Sequence, residues 1–231
     1  LETIAALLHD PACRLVTLVG QGGIGKTRLA LQLAANLQAN FADGLFYVGL
    51  TSLTDPALLA QTIASAVACP LHSSTSPRTQ LIEWLRPREL LFVMDNLEHL
   101  LEGVDLLAEL LQAAPSVRLV ATSREPLNLH GEWLFEVQGL PIPPQSGNQI
   151  EAYSAAQLFL QSAQRARVGF VPSQQDRAAI ARICALVDGM PLAIELAAGW
   201  VRLLSCTEIA EEIERDLHFL ASTARDLPAR H

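Results

Sequence analysis

A chain of 231 residues is long enough to bury one large core or a large core with a smaller companion, and 50% hydrophobic against 17% charged residues marks it as globular rather than disordered. Its formal net charge is −8, from 24 acidic and 16 basic side chains, and no basic block is placed to follow a phosphate backbone, so direct nucleic-acid binding by this segment is not expected. Nor is there an apolar run of membrane-spanning length or a charged-then-apolar leader, which argues against insertion and secretion and predicts a cytoplasmic location.

Arg14 to Val19 is a short β-branched, apolar run that predicts a buried strand, and Arg28 to Leu37 repeats apolar residues at helical spacing. Between them lies Gly20-Gln21-Gly22-Gly23-Ile24-Gly25-Lys26-Thr27, which matches the phosphate-binding P-loop pattern. Glycines let the backbone close around phosphate oxygens, so that successive N–H groups and the positive end of the following helix face the anion. The pattern assigns nucleotide contacts to Gly22, Gly23, Ile24, Gly25, Lys26, Thr27 and Arg28. Lys26 is expected to reach the β- and γ-phosphates, and the Thr27 hydroxyl to ligate magnesium.

Gly44 to Leu50 predicts a second strand, and Asp55-Pro56 starts a helix running to about Ala68. A polar connector at 72–77 precedes a helix from Gln80 to Leu85, ended by Pro87. Leu90 to Met94 is an apolar strand ending in Asp95; Leu97 to Ala114 reads as helix; Val117 to Thr122 and Trp133 to Val137 complete five strands. Strands alternating with helices specify a parallel sheet covered on both faces. Beyond Gly139, the turn formers of 140–148 read as a linker, followed by helices at Tyr153 to Arg167, Gln174 to Val187, Pro191 to Leu204 and Thr207 to Leu220. The expected architecture is an α/β P-loop NTPase domain over 1–145 and a small helical-bundle domain over 146–231. Cys13, Cys69, Cys184 and Cys206 lack metal-ligand spacing and read as buried hydrophobes, while His99 and His130 read as surface or capping residues.

An acid at the C-terminal end of a strand beside a P-loop lies on the ligand-binding edge of a parallel sheet, so Asp95 is the candidate holder of magnesium. The following residue, Asn96, can orient water but cannot accept its proton. Glu98 is the nearest candidate base, with an exposed place in a first helical turn as the alternative, and slow hydrolysis is expected. Arg124, just past the strand ending at Thr122, is placed to read a terminal phosphate and stabilise charge in transfer. Lys26, Asp95, Arg124 and Glu98 are thus the candidate catalytic residues. In Asp188-Gly189-Met190-Pro191-Leu192-Ala193, Gly189 ends one helix and Pro191 begins the next.

Together these motifs resemble the NB-ARC family of the STAND class of P-loop ATPases, in the variety found in bacterial signalling regulators and transcriptional activators. The resemblance rests on Gly20 to Thr27, on Leu90 to Asn96, on Ala121-Thr122-Ser123-Arg124 as a sensor-arginine motif, and on Gly189-Met190-Pro191-Leu192 as the family's G-x-P motif. It implies that Pro191 packs near the adenine and couples the helical region to the nucleotide, and it adds Leu192 to the cofactor-binding residues. It also implies ATP or ADP with Mg2+ as cofactors, slow regulatory ATP hydrolysis, and nucleotide-dependent self-assembly. A winged-helix domain after the helical one and further sensor or effector domains are expected in the parent protein, of which this chain is read as a fragment. The rival expectations are an ADP-holding scaffold that never hydrolyses and a metabolic P-loop phosphotransferase.

Overall fold

The computed structural model describes residues 1–73, 75–144 and 149–223. The linker residues 145–148, on which the expected domain boundary falls, and Ser74 of the polar connector lie outside the described residues.

Five strands, β1 (Leu15–Val19), β2 (Leu45–Gly49), β3 (Leu91–Asp95), β4 (Arg118–Ser123) and β5 (Glu132–Glu136), form one sheet in the order β2-β3-β4-β1-β5. Every pairing is parallel. Because side chains alternate across a strand, Leu15, Phe92, Met94, Leu119 and Ala121 fill the core on one face, while Val16, Leu18, Leu91, Val93 and Val120 fill the other. The first face is covered by α3 (Leu59–Ala66), α4 (Pro77–Leu85) and α5 (Asp105–Ala113), the second by α1 (Glu2–His9) and α2 (Lys26–Leu37). Both faces being buried explains why β1, β3 and β4 read as continuous apolar runs rather than alternating ones.

Among the elements that differ from the sequence expectation, three bear on the sheet and its edge. Helix α1 was not anticipated: it is only 8 residues long, and it is held by burying Ile4 and Leu8, one turn apart, in the core beneath β1. Helix α4 begins at Pro77 rather than Gln80, since the Ser76 hydroxyl accepts the Thr79 N–H at 3.1 Å and proline occupies the first turn. The helix expected from Leu97 begins only at Asp105, after a 3-10 turn at Leu101–Gly103. Asn96 adopts a left-handed φ of 71° and the Leu97 N–H donates to Thr122 O at 3.0 Å, so the chain after β3 is tied to β4 before any helix can start. Leu97, Leu100, Val104 and Leu107 are nevertheless all buried, and their spacing imitated one continuous helix.

The described residues form two compact units, one from 1–21 with 26–137 and the other from 22–25 with the described part of 138–223. In the second, α6 (Ser154–Ala166), α7 (Gln174–Leu186), α8 (Pro191–Gly199) and α9 (Cys206–Arg215) surround their own core of Phe159, Ile180, Ile183, Ile194, Ile209 and small alanines. Capping boxes open α7 (Ser173 with Asp176) and α9 (Ser205 with Glu208). All four cysteines are free and buried, and burial pushes the Cys184 and Cys206 thiols up to about 12.

Two glycines pin this unit. The backbone at Gly139-Leu140 crosses Asp188-Gly189 so closely that a Cβ on Gly139 would stand 2.2 Å from Asp188 O, and one on Gly189 would stand 2.3 Å from Leu140 O. Leu140 N–H donates to Gly189 O at 2.9 Å, and Gly189 also needs φ 64°. Gly189→Ala therefore combines left-handed strain with a backbone clash and is expected to destabilise the helical unit by about 2–4 kcal/mol, read as a lower urea midpoint with unchanged slope.

Candidate functional site

In a parallel sheet all strands end at one edge, and that edge gathers the residues singled out in the first unit. Asp95 closes β3 and is 7% exposed. A buried carboxylate must be met by donors, and three hydroxyls meet it. Thr27 Oγ1, in the first turn of α2, donates to Oδ1 at 2.7 Å; Thr122 Oγ1, on β4, donates to the same oxygen at 2.6 Å; the Tyr47 O–H, on β2, donates to Oδ2 at 3.0 Å. Burial, followed by the charge of Asp95, pushes the Tyr47 phenol up to about 12.

The Lys26 ammonium donates to Gly20 O at 2.6 Å and to Gln21 O at 3.1 Å. Burial pulls its pKa below the ordinary lysine value; Glu98 opposes that shift, Arg124 reinforces it and Asp95 opposes it, so each of the three lies within electrostatic reach of Lys26. Arg28 lies exposed in the first turn of α2.

Glu98 is in a turn after β3, not in the first turn of a helix, and its side chain is only 16% exposed. Its Oε1 accepts from Arg124 Nε at 3.1 Å, while its buried Oε2 has no hydrogen-bond partner among the described residues. The neighbouring Asn96 is committed elsewhere. Its N–H donates to Thr122 Oγ1 at 2.9 Å, and its side chain amide lies 3.1 Å from His99 Nδ1. His99 Nε2 faces two carbonyls, Leu53 O at 2.7 Å and Leu50 O at 3.0 Å. Carbonyls only accept, so His99 carries its proton on Nε2 and receives the Asn96 amide N–H on Nδ1. His99 thus ties the loop after β3 to the loop after β2.

Within the second unit, Gly23 and Gly25 take φ values of 80° and 97°, the left-handed conformations a Gly-rich loop requires. The Leu192 N–H donates to Gly23 O at 3.3 Å, and a Cβ on Gly23 would stand 2.8 Å from Leu192 Cβ. A Cβ on Gly25 would come within 3.9 Å of the Pro191 ring. Gly22 and Ile24 are partly buried in the same loop.

Sequence reasoning passed over Tyr47, and it named Thr122 only as a motif member. The signal for Tyr47 was faint: it and Gly49 share one face of β2, and Gly49 pairs in register with Asp95.

A family model described as an AAA domain matches residues 10–125. The chain belongs to the AAA domain family. A Mycobacterium tuberculosis (strain H37Rv) protein provisionally named an HTH-type transcriptional regulator is 39% identical over 213 residues, which are 92% of this chain and 23% of that protein. An uncharacterised protein of the same strain is 32% identical over 225 residues, 97% of this chain and 54% of that one. The AAA domain chain therefore spans about a quarter to a half of the length of these curated relatives. Among solved structures, it is similar in fold to a STAND protein with a tetratricopeptide repeat sensor from Pyrococcus horikoshii. That match has a TM-score of 0.57 and 14% identity, over 93% of this chain and 32% of that one. It is also similar to Cdc6p from Pyrobaculum aerophilum, with a TM-score of 0.57 and 16% identity, over 93% of this chain and 62% of that one.

The donor set fits magnesium. Thr27 and Asp95 offer two hard oxygens, as suits a cation that keeps several waters and takes its remaining ligands from phosphates, and no cluster of three or more His, Cys, Asp or Glu side chains able to hold a metal occurs among the described residues. Thr122→Val keeps the shape of the side chain but removes one donor to Asp95 and the acceptor for the Asn96 N–H. It is expected to cost about 1–3 kcal/mol of unfolding free energy, measured by urea denaturation of the nucleotide-free protein.

Proposed function

We propose that this AAA domain chain is the nucleotide-binding switch module of a larger bacterial regulator of the NB-ARC/STAND kind. It binds ATP or ADP with magnesium and hydrolyses ATP slowly. The observation that carries this reading is the 2.7 Å hydrogen bond between Thr27 and Asp95, which joins the residue after the P-loop lysine to an acid 68 positions away. Those two groups are the protein's share of a magnesium–phosphate site. Magnesium, when bound, would neutralise charge developing on the phosphates.

Lys26 holds the phosphates by exchanging its loop carbonyls for phosphate oxygens, and Arg124 reads the terminal phosphate. Glu98 is the water-polarising group, because its Oε2 is a desolvated acceptor with no hydrogen-bond partner among the described residues and can accept from water once a rearrangement opens it to solvent. Its pairing with Arg124 supports slow turnover: the carboxylate that should act as base is held by the cation that should meet the phosphate, and both must rearrange. Asn96 cannot replace it, being bound to His99. Pro191 and Leu192, which pack on the glycines at 25 and 23, carry nucleotide state into the helical bundle. The relatives' naming supports placement in a transcriptional regulator, with DNA contacted by segments other than this acidic one. A cytoplasmic location accords with this role; no helix among the described residues is long and apolar enough to cross a membrane. Nucleotide-dependent assembly of the parent protein is part of the same proposal.

The test is single-turnover release of phosphate from γ-labelled ATP, run beside a fluorescent-nucleotide binding titration. Lys26→Ala should abolish binding, and Glu98→Gln should slow hydrolysis about 10²–10⁴-fold while leaving affinity within about twofold of the wild type. Phosphate release that is undetectable, or equal in wild type and Asp95→Ala, would sink the hydrolytic claim and leave an ADP-holding scaffold.

A further inference from the structure

Gly49 ends β2 with no left-handed φ, so its backbone has no need of glycine. What its missing side chain provides is room. A Cβ at position 49 would lie 3.1 Å from Tyr47 Cε1 and 3.4 Å from the Tyr47 hydroxyl, so the Tyr47 ring lies back across Gly49. The two residues share a face of β2, and Gly49 pairs with Asp95 on β3. The ring folded over Gly49 is thereby carried to the end of β3, where its hydroxyl donates to Asp95 Oδ2.

The two oxygens of Asp95 are unequally engaged. Oδ1 already accepts from Thr27 and Thr122, whereas Oδ2 accepts from Tyr47. A hydrated cation held by Thr27 would find its free acceptor site on the less engaged oxygen, which is the one Tyr47 occupies. Tyr47 also borders an open cleft of about 500 Å³ lined by Gly49, Leu58, Gln61 and Thr62.

We propose that Tyr47, seated over Gly49, is a positioning residue that competes with the hydration shell of Mg2+ for Asp95 Oδ2 and so sets the Mg2+ concentration at which nucleotide is held. The inference rests on the nucleotide reading above. It concerns the affinity for the cation and not the chemical step. The competition is partial, because a carboxylate oxygen has two lone pairs and Tyr47 uses one.

The experiment is a titration of the purified chain with a fluorescent ADP analogue in EDTA and then across a series of Mg2+ concentrations, for wild type, Tyr47→Phe, Gly49→Val and the double variant. Tyr47→Phe removes only the hydroxyl; Gly49→Val suits a strand and displaces the ring while keeping it. Both are expected to lower the half-saturating Mg2+ concentration roughly 2- to 10-fold, with affinity in EDTA unchanged, and the double variant should shift no further than either single one. An unchanged or raised Mg2+ requirement in Tyr47→Phe overturns the proposal, and additive shifts in the double variant overturn the role of Gly49. If Tyr47→Phe does not fold, Gly49→Val decides the matter by the same criterion. Failure of the wild type to bind nucleotide at all would instead strike at the nucleotide reading, and this inference would fall with it.

Discussion

The burial of one carboxylate, Asp95, is the constraint on which the first unit depends. A charge 7% exposed at the end of a sheet strand would cost several kcal/mol if left unmet. Its three hydroxyl donors come from three other elements: the start of α2, β2 and β4. None of these groups can serve unless the strands stand in the order β2-β3-β4-β1 with their C-terminal ends level, as the observed register provides. Forming the sheet edge and satisfying the acid are therefore the same event. The chemistry of the edge is available only to the folded chain.

The same carboxylate organises the loops around it. Thr122, while donating to Asp95, accepts the N–H of Asn96, and that bond accompanies the left-handed turn at Asn96. The turn delays the next helix to Asp105, brings His99 against the loop after β2, and leaves the Glu98 side chain largely shielded beside Arg124. An asparagine at this position tolerates φ 71° because its short polar side chain bonds locally, in this case to His99. Asn96 is therefore a turn residue fixed in the rim of the site. In the sequence it is conspicuous chiefly for being no acid.

The helical unit obeys a different constraint, one of space rather than charge. Gly139 and Gly189 allow two backbone segments to cross within the distance a single Cβ would occupy, and the Leu140–Gly189 hydrogen bond fixes the crossing. Gly189 could be read from the sequence as a helix end, since a left-handed glycine there is a common stop and Pro191 a common start. Its partner at 139 could not, because nothing local distinguishes a glycine that ends a strand region from one that admits another chain segment.

Element types and order were legible in the amino-acid sequence. Apolar runs, caps, glycines and prolines are local signals, and they sufficed for the parallel α/β sheet, for the helical region after it and for the Gly-rich loop between β1 and α2. Where local signals were few, as at Glu2–His9, or imitated another pattern, as with the leucines at 97, 100 and 107, the reading failed at the element's existence or its start. Lys26, Thr27, Asp95, Glu98 and Arg124 stood out because charged and hydroxyl side chains in the Gly-rich loop and at strand ends fall on the edge where open parallel sheets bind ligands. Which of them touch, and through what, was decided only by tertiary structure. The Thr27, Thr122 and Tyr47 hydroxyls bond Asp95, Glu98 faces Arg124 with one oxygen only, and Gly49 makes room for a ring two residues before it. Such pairings depend on strand order, register and side-chain direction, which arise from contacts between residues tens of positions apart. No stretch of sequence states them by itself.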